Sequence, residues 1–351
     1  MKLAKTITIG VALSLIIQSI LLIFVNNYYF SDKEVISYKP ITKIEAPILK
    51  YIELKVPSDV KDIQASYDGK YITYYTDKTL NVVSTSTGEK NEILLDPKSN
   101  KSFHKWLGDR DIIIIAENQI NNGRNIIKFY SYDVKNNMKR ETKDYMNDRE
   151  VYITASTANA DIIDIAFNVT NTITYPKISI NSTDSNIYRV DVALPIEKLA
   201  LATSHIGKIK VSNLYDEVVY EDSLNKKIYF GTSKNPLNIE GVSAYSLIDI
   251  DKSSYVYVGK LVNDQVTAVY YGELKASTEN WKSYTLYKPV SQASIFVSSN
   301  GKIYVNDSLI GTIKELSTQK ETKYDGILVN INEKTVISLK NGDIIIQTDL
   351  N

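Results

Sequence analysis

The 351 residues include no cysteine, and 41 Lys and Arg against 41 Asp and Glu leave a formal charge of zero. Disulfides, thiolate metal sites and cysteine nucleophiles are thereby excluded, and the basic footprint on which general nucleic-acid binding draws is missing. A hydrophobic content of 43% with 23% charged residues describes a chain that buries a core, with length for one large all-β domain or two ordinary ones.

Thr6 to Val25 reads TITIGVALSLIIQSILLIFV, uncharged over about 20 residues, the length a helix needs to cross hydrocarbon. Lys2 and Lys5 precede it and Asp32 is the first charge after it, so the positive-inside rule places the N-terminus in the cytoplasm and the rest outside. Tyr28, Tyr29 and Phe30 sit where an interfacial aromatic belt belongs. A cleaved signal peptide is the competing reading, but Val25-Asn26-Asn27-Tyr28 lacks the small-x-small pattern and the apolar run is longer than usual. The expectation is an uncleaved anchor in residues 1–30, a polar stalk over residues 31–46 and an extracytoplasmic domain over residues 47–351.

The domain reads as strands throughout. Pro47 to Val56 alternates and is stopped by Pro57; it is expected to close a ring by pairing with the last strands of the chain. Asp62 to Glu89 holds runs at Tyr71 to Tyr75 and Leu80 to Ser84, set off by Asp68-Gly69, Asp77-Lys78 and Thr87-Gly88 turns. Ile112 to Ile115 reads as a central strand, and Asn122-Gly123 as a hairpin turn before Asn125 to Asp133. Val151 to Ile153 is grouped with Ile162 to Val169, Thr172 to Ile180 and Ile187 to Val192, and a fourth group runs from Ile206 to Gly231. A fifth covers Ser243 to Tyr287, a sixth Ala293 to Leu316, and three strands remain between Gly326 and Gln347. Pro195 to Ala202 is the best short helix candidate, with proline in its first turn. Strands about 8 to 12 residues apart, in groups of roughly 40, predict an all-β β-propeller of six or seven blades. Seven results if Pro47 to Val56 completes the last one.

Ser66-Tyr67-Asp68-Gly69-Lys70-Tyr71-Ile72 followed by Val82-Val83-Ser84-Thr85-Ser86-Thr87-Gly88 is similar to the S-x-D-G-K-x-I … V-x-D-x-x-T-G repeat of TolB-like propellers and of the propeller domains of prolyl-peptidase relatives. The match covers one blade well and a second, Trp106 to Asp111 with Tyr132-Asp133, loosely. The resemblance implies a propeller that serves as an interaction platform, since in the peptidases a separate hydrolase domain does the chemistry.

Catalytic sets are looked for in vain. Gly241-Val-Ser-Ala-Tyr245 lacks the second glycine of a nucleophile elbow. His104 and His205, the two histidines, fall in different blades with no ligand at metal spacing. Asp249-Ile-Asp251-Lys252-Ser253-Ser254 reads as a hairpin turn rather than a calcium loop. Asn168-Val-Thr170 fits a glycosylation acceptor, which matters only in a eukaryotic secretory route. The 26 tyrosines, against 7 Phe and 2 Trp, mostly occupy strands. No catalytic, cofactor-binding or metal residue is therefore expected. The reading is a membrane-anchored, non-catalytic propeller binding another envelope protein. The alternatives are a propeller binding or processing cell-wall or surface carbohydrate, favoured by paired channel carboxylates, and a peptide-binding sensor, favoured by a deep apolar pocket.

Overall fold

The computed structural model describes residues 2–28, 54–121, 124–144, 149–155, 157, 159–168, 170, 172–191 and 194–350. The chain divides into two units, Met1–Leu49 and Lys50–Asn351. In the first, α1 spans Lys2–Tyr28. Among the described residues no helix is long and apolar enough to cross a membrane. The stalk and the Asn122-Gly123 turn lie outside the described residues.

The second unit is a ring of seven antiparallel blades. Blade 1 is β2 (Lys61–Ala65), β3 (Tyr71–Thr76), β4 (Thr79–Ser84) and β5 (Lys90–Leu94). Blade 2 is built on β6 (Ser99–Trp106), β7 (Ile112–Asn121) and β8 (Arg124–Asp133). Blade 3 is β13 (Ile162–Phe167), β14 (Ile173–Ser179), β15 (Ser185–Asp191) and β16 (Leu194–Lys198), and blade 4 is β17 (Ile206–Ser212), β18 (Glu217–Asp222) and β19 (Lys227–Phe230). Blade 5 comprises β20 (Tyr245–Ile250), β21 (Tyr255–Val262), β22 (Gln265–Glu273) and β23 (Lys282–Val290). Blade 6 comprises β24 (Ile295–Val297), β25 (Ile303–Asp307), β26 (Thr312–Glu315) and β27 (Glu321–Lys323). Blade 7 has β28 (Ile327–Ile331), β29 (Thr335–Lys340) and β30 (Ile344–Asp349), and β1 (Leu54–Lys55) adds to β30 with Leu54 opposite Ile345. The predicted closure is thus present, and Val56 extends it by donating to the carbonyl of Asp343 at 2.7 Å. Closing the ring this way removes the free edges that an open sheet would expose.

The core is divided rather than central. Seven apolar layers lie one between each pair of neighbouring blades. This explains the run of four isoleucines. Ile113 and Ile115 face blade 1 while Ile114 and Ala116 face blade 3, so β7 is buried on both sides and loses the alternation of a half-exposed strand.

Two expectations are corrected. Val151 to Ile153 does not begin the third blade: β12 (Tyr152–Thr154) pairs with β8, Ile153 opposite Ile127. At ten residues β8 outruns an ordinary blade strand, so its outer edge is shared by β12 and by β9 (Met138–Glu141). A small hairpin of β10 (Lys143–Asp144) and β11 (Arg149–Glu150) lies between those two in sequence. Pro195 to Ala202 is not helical: Leu194–Lys198 is β16, the outer strand of blade 3, where a proline costs no ladder bond.

Candidate functional site

The innermost strands depart from regular pairing. The register slips between Lys61 and Gln64 in β2, Ile162 and Asp164 in β13, Leu247 and Asp249 in β20, and Leu328 and Asn330 in β28. Such a bulge leaves one residue unpaired and re-aims its side chain. In three of these strands the local chemistry is identical: a side-chain oxygen of Asp164, Asp249 or Asn330 accepts from the N–H of the isoleucine that follows, at 2.8 Å. In blade 1 the corresponding pair is Asp62-Ile63, with Asp62 in the left-handed region at φ 52°. Odd-numbered blades thus present Asp or Asn at the inner edge of the ring.

Lysines of the even-numbered blades reach across to them. Lys105 of β6 lies 2.7 Å from Asp164 and donates to the carbonyl of Ile165. Lys210 of β17 lies 2.6 Å from Asp249, and Lys208 on the same strand donates to the carbonyl of Ile248. From blade 3, Lys177 of β14 donates to the carbonyl of Gly207 at 2.6 Å. These bonds join one blade to the next. Burial opposes the charge of Lys210, but the Asp249 carboxylate outweighs it and holds the ammonium above its usual range. Lys208 makes no direct ion pair among the described residues: burial, helped by the like charge of Lys210, outweighs the pull of Asp249 and Asp164 and pushes it down to about 8. Burial also lowers Lys177.

Beside Lys208 lies a cavity of about 360 Å³. It is lined by the polar residues Lys208, Asp249, Gln292 and Asn330 and by the apolar residues Ala293, Ile295, Phe296, Val297 and Ile331. Gln292 is fixed by donating to the carbonyl of Leu247 at 2.7 Å and to Glu221, a buried carboxylate that also accepts from the N–H of Leu247.

His104 is wholly buried and sits in a chain between blades 1 and 2. Its Nδ1 is 3.2 Å from Asp62 Oδ2, its Nε2 is 2.8 Å from Thr73 Oγ1, and that hydroxyl accepts from Trp106 Nε1 at 2.9 Å. The order acid, imidazole, hydroxyl is that of an activated nucleophile, but Thr73 and His104 are both at 0% exposure, so no substrate reaches the hydroxyl. The chain is a strut. Burial works to raise the Asp62 carboxyl, and the nearby His104 imidazole, with hydrogen bonds from Gln64, outweighs it and holds it below its usual range.

The other residues weighed in the sequence are placed as follows. His205 is partly exposed, with Nε2 3.8 Å from Asp184, and no cluster of three potential metal ligands occurs among the described residues. Ser243 lies in the connection between β19 and β20. Asn168 is buried, and its amide nitrogen, the atom a glycan would join, donates to Asp216 and to the hydroxyl of Thr172. Only part of the segment from Asp249 to Ser254 is a turn. Asp251 caps it by accepting from the N–H groups of Ser253 and Tyr255, whereas Asp249 ends in the inner-edge network. The Ser66-x-Asp68-Gly69-Lys70 turn has a second copy in blade 6 at Ser298-x-Asn300-Gly301-Lys302. In both, the serine hydroxyl donates to the Asp or Asn two residues on and accepts from a backbone N–H after the glycine.

No family model and no curated protein matches the chain. Among solved structures, a chain of the mitotic checkpoint complex aligns over 85% of this chain and 93% of its own, with a TM-score of 0.53 at 11% identity. The fold is that of a β-propeller. An oligogalacturonate lyase in complex with manganese aligns over 84% of this chain and 92% of its own, with a TM-score of 0.55 at 10% identity. At such identities the likeness concerns architecture alone. TolB from Acinetobacter baumannii aligns over 66% of this chain and 55% of its own at 13% identity and a TM-score of 0.37, too loose to argue from.

Proposed function

We propose that the chain is a membrane-tethered, non-catalytic propeller that binds a partner protein on the outer side of a cytoplasmic membrane. The observation that carries the partner is a group of exposed apolar side chains on neighbouring blades. Tyr287 of β23 and Leu309 of the β25–β26 turn are fully or almost fully exposed, and Ile310 and Ile327 are each 69% exposed. Lys288 pairs with Asp307, which brings the outer strand of blade 5 alongside that turn of blade 6. Exposed aromatic and aliphatic groups gathered in this way are what protein partners bury.

The tether is supported by the uncharged sequence of Thr6 to Val25 and by α1 side chains such as Leu15, Ile16, Leu21, Leu22 and Phe24, all more than half exposed and spread around the helix. An apolar surface on every side of a helix calls for lipid or a protein interior. Against a glycosidase, Asp164 and Asp249 are each bound to a lysine rather than free to act as an acid and a base.

Two measurements test the reading. Carbonate washing of membranes should leave the full chain in the pellet and release a form lacking residues 1–46. Photo-cross-linking from position 309 in intact cells should capture one dominant envelope protein, and Tyr287→Ser with Ile310→Ser should abolish that capture. Release of the full chain by carbonate refutes the tether, and capture unaffected by both substitutions refutes the partner face.

A further inference from the structure

We infer that the cavity beside Lys208 binds a small organic carboxylate bearing an apolar group. The argument rests on which polar atoms around the cavity are already used. Asp249 is held by Lys210 and by the N–H of Ile250. Asn330 spends its oxygen on the N–H of Ile331, and its amide N–H groups have no partner among the described residues. Gln292 spends its N–H groups on Leu247 and Glu221 and keeps its oxygen. Lys208 donates to a single carbonyl and has no carboxylate within ion-pair reach among the described residues. Lys208 is half-buried, and an ammonium partly withdrawn from water without a counter-ion is costly unless an anion supplies one.

The charged groups facing Lys208 do not supply it. Lys105 and Asp164 neutralise one another, as do Lys210 and Asp249. Glu221 lies behind Gln292 and accepts from it, while Lys177 is a further cation turned to the carbonyl of Gly207. The surplus is positive. Phe296 and Ile331 are among the apolar residues that line the same cavity, so the occupant has an anionic end and a hydrophobic part. The volume of about 360 Å³ lies in the range of small-molecule sites and holds roughly a dozen water-sized groups. Lys208 and Asn330 would donate to the carboxylate. Any N–H or O–H on the ligand would donate to Gln292.

The test uses the full chain in detergent and phenylacetate as the probe, with phenylacetamide as its uncharged counterpart, by titration calorimetry. Phenylacetate should bind saturably at pH 7, and the amide should bind roughly tenfold more weakly or worse. Lys208→Met should lose binding by a similar factor while melting no lower than the parent, and Lys208→Arg should keep part of it. Affinity should fall as pH rises past the range in which Lys208 loses its proton. Absence of saturable binding up to millimolar phenylacetate, equal binding of the amide, or undiminished binding to Lys208→Met would each overturn the assignment. The proposal is independent of the tether and the partner face, which fractionation and cross-linking test separately.

Discussion

Replacing Lys208 with methionine should stabilise the propeller at neutral pH, and the gain should disappear in alkali. The ammonium is pushed from an ordinary value of 10.5 to about 8 by burial and by Lys210. Below pH 8 both folded and unfolded chains carry the proton, and the folded state bears the full penalty of burying it. Between about 8 and 10.5 the folded state releases the proton while the unfolded state keeps it, so parent stability rises with pH across that window. The displacement corresponds to about 3 kcal/mol at pH 7. Methionine removes this penalty and forfeits the bond to the carbonyl of Ile248, worth about 1 kcal/mol. The net expectation is a gain of about 2 kcal/mol at pH 7, falling to zero or below near pH 10. Urea unfolding followed by the fluorescence of Trp106 and Trp281, repeated at pH 7, 9 and 10, reads the difference directly. A variant less stable than the parent at pH 7, or a difference that does not change with pH, would refute the reasoning.

Three further outcomes follow from other parts of the ring. Glu117 is wholly buried and held by Lys139 at 2.6 Å and by the N–H of Asp96 at 2.9 Å; Lys139→Met strands that carboxylate and should cost about 3 kcal/mol in thermal or urea unfolding. Adding Glu117→Gln should recover much of the loss, and a double variant as unstable as the sum of the singles would sink the pairing argument. Gly301 and Gly342 share a φ of 84°, but a Cβ at Gly301 would lie 2.6 Å from the hydroxyl of Tyr257, whereas Gly342 faces open space. Gly301→Ala should therefore destabilise more than Gly342→Ala, by about 1–3 kcal/mol of steric overlap, and equal costs would show that only the backbone matters. Asp62 is held below its usual range by His104, so the stability it contributes is present above the unfolded carboxyl value of 3.8 and is lost as pH falls through the folded one. Asp62→Asn should remove that part of the acid limb, and acid denaturation curves that superimpose for parent and variant would count against the strut.

Architecture was legible wherever turn chemistry and strand composition agreed. The Asp68-Gly69 turn and the Leu54-to-Val56 closure needed only local rules. The second Ser-x-Asn-Gly-Lys turn in blade 6 was concealed because asparagine replaces aspartate, although it makes the same bonds. The inner-edge network was illegible for a different reason. A strand points alternate side chains to opposite faces, and a bulge inserts one residue and reverses the alternation. Asp249 could not be separated from the turn at Asp251 without knowing that the register slips between Leu247 and Asp249. Asp-Ile at 62, 164 and 249 and Asn-Ile at 330 recur about two blades apart, but Asp-Ile also stands at 111, 161 and 343, so only its position within the blade marks the network. The proline of β16 misled because it suits a helix start and an outer strand equally.

The place of the cavity follows from where the alternation of charges breaks. From blade 1 to blade 5 every interface at the inner edge is crossed by a polar side chain: His104 with Asp62, Lys105 with Asp164, Lys177 with a blade 4 carbonyl, and Lys210 with Asp249. Blade 6 should contribute the next lysine and instead presents Phe296, while blade 7 presents the neutral Asn330 where blades 3 and 5 have aspartate. With neither a cation from blade 6 nor an anion from blade 7, no strut fills the space, and Lys208 is left facing it. Restoring the pattern with Asn330→Asp would give Lys208 the counter-ion it lacks. That single change should return the ammonium toward its ordinary range and displace an anionic ligand by competition, whereas a purely structural gap would accept the carboxylate without effect on either.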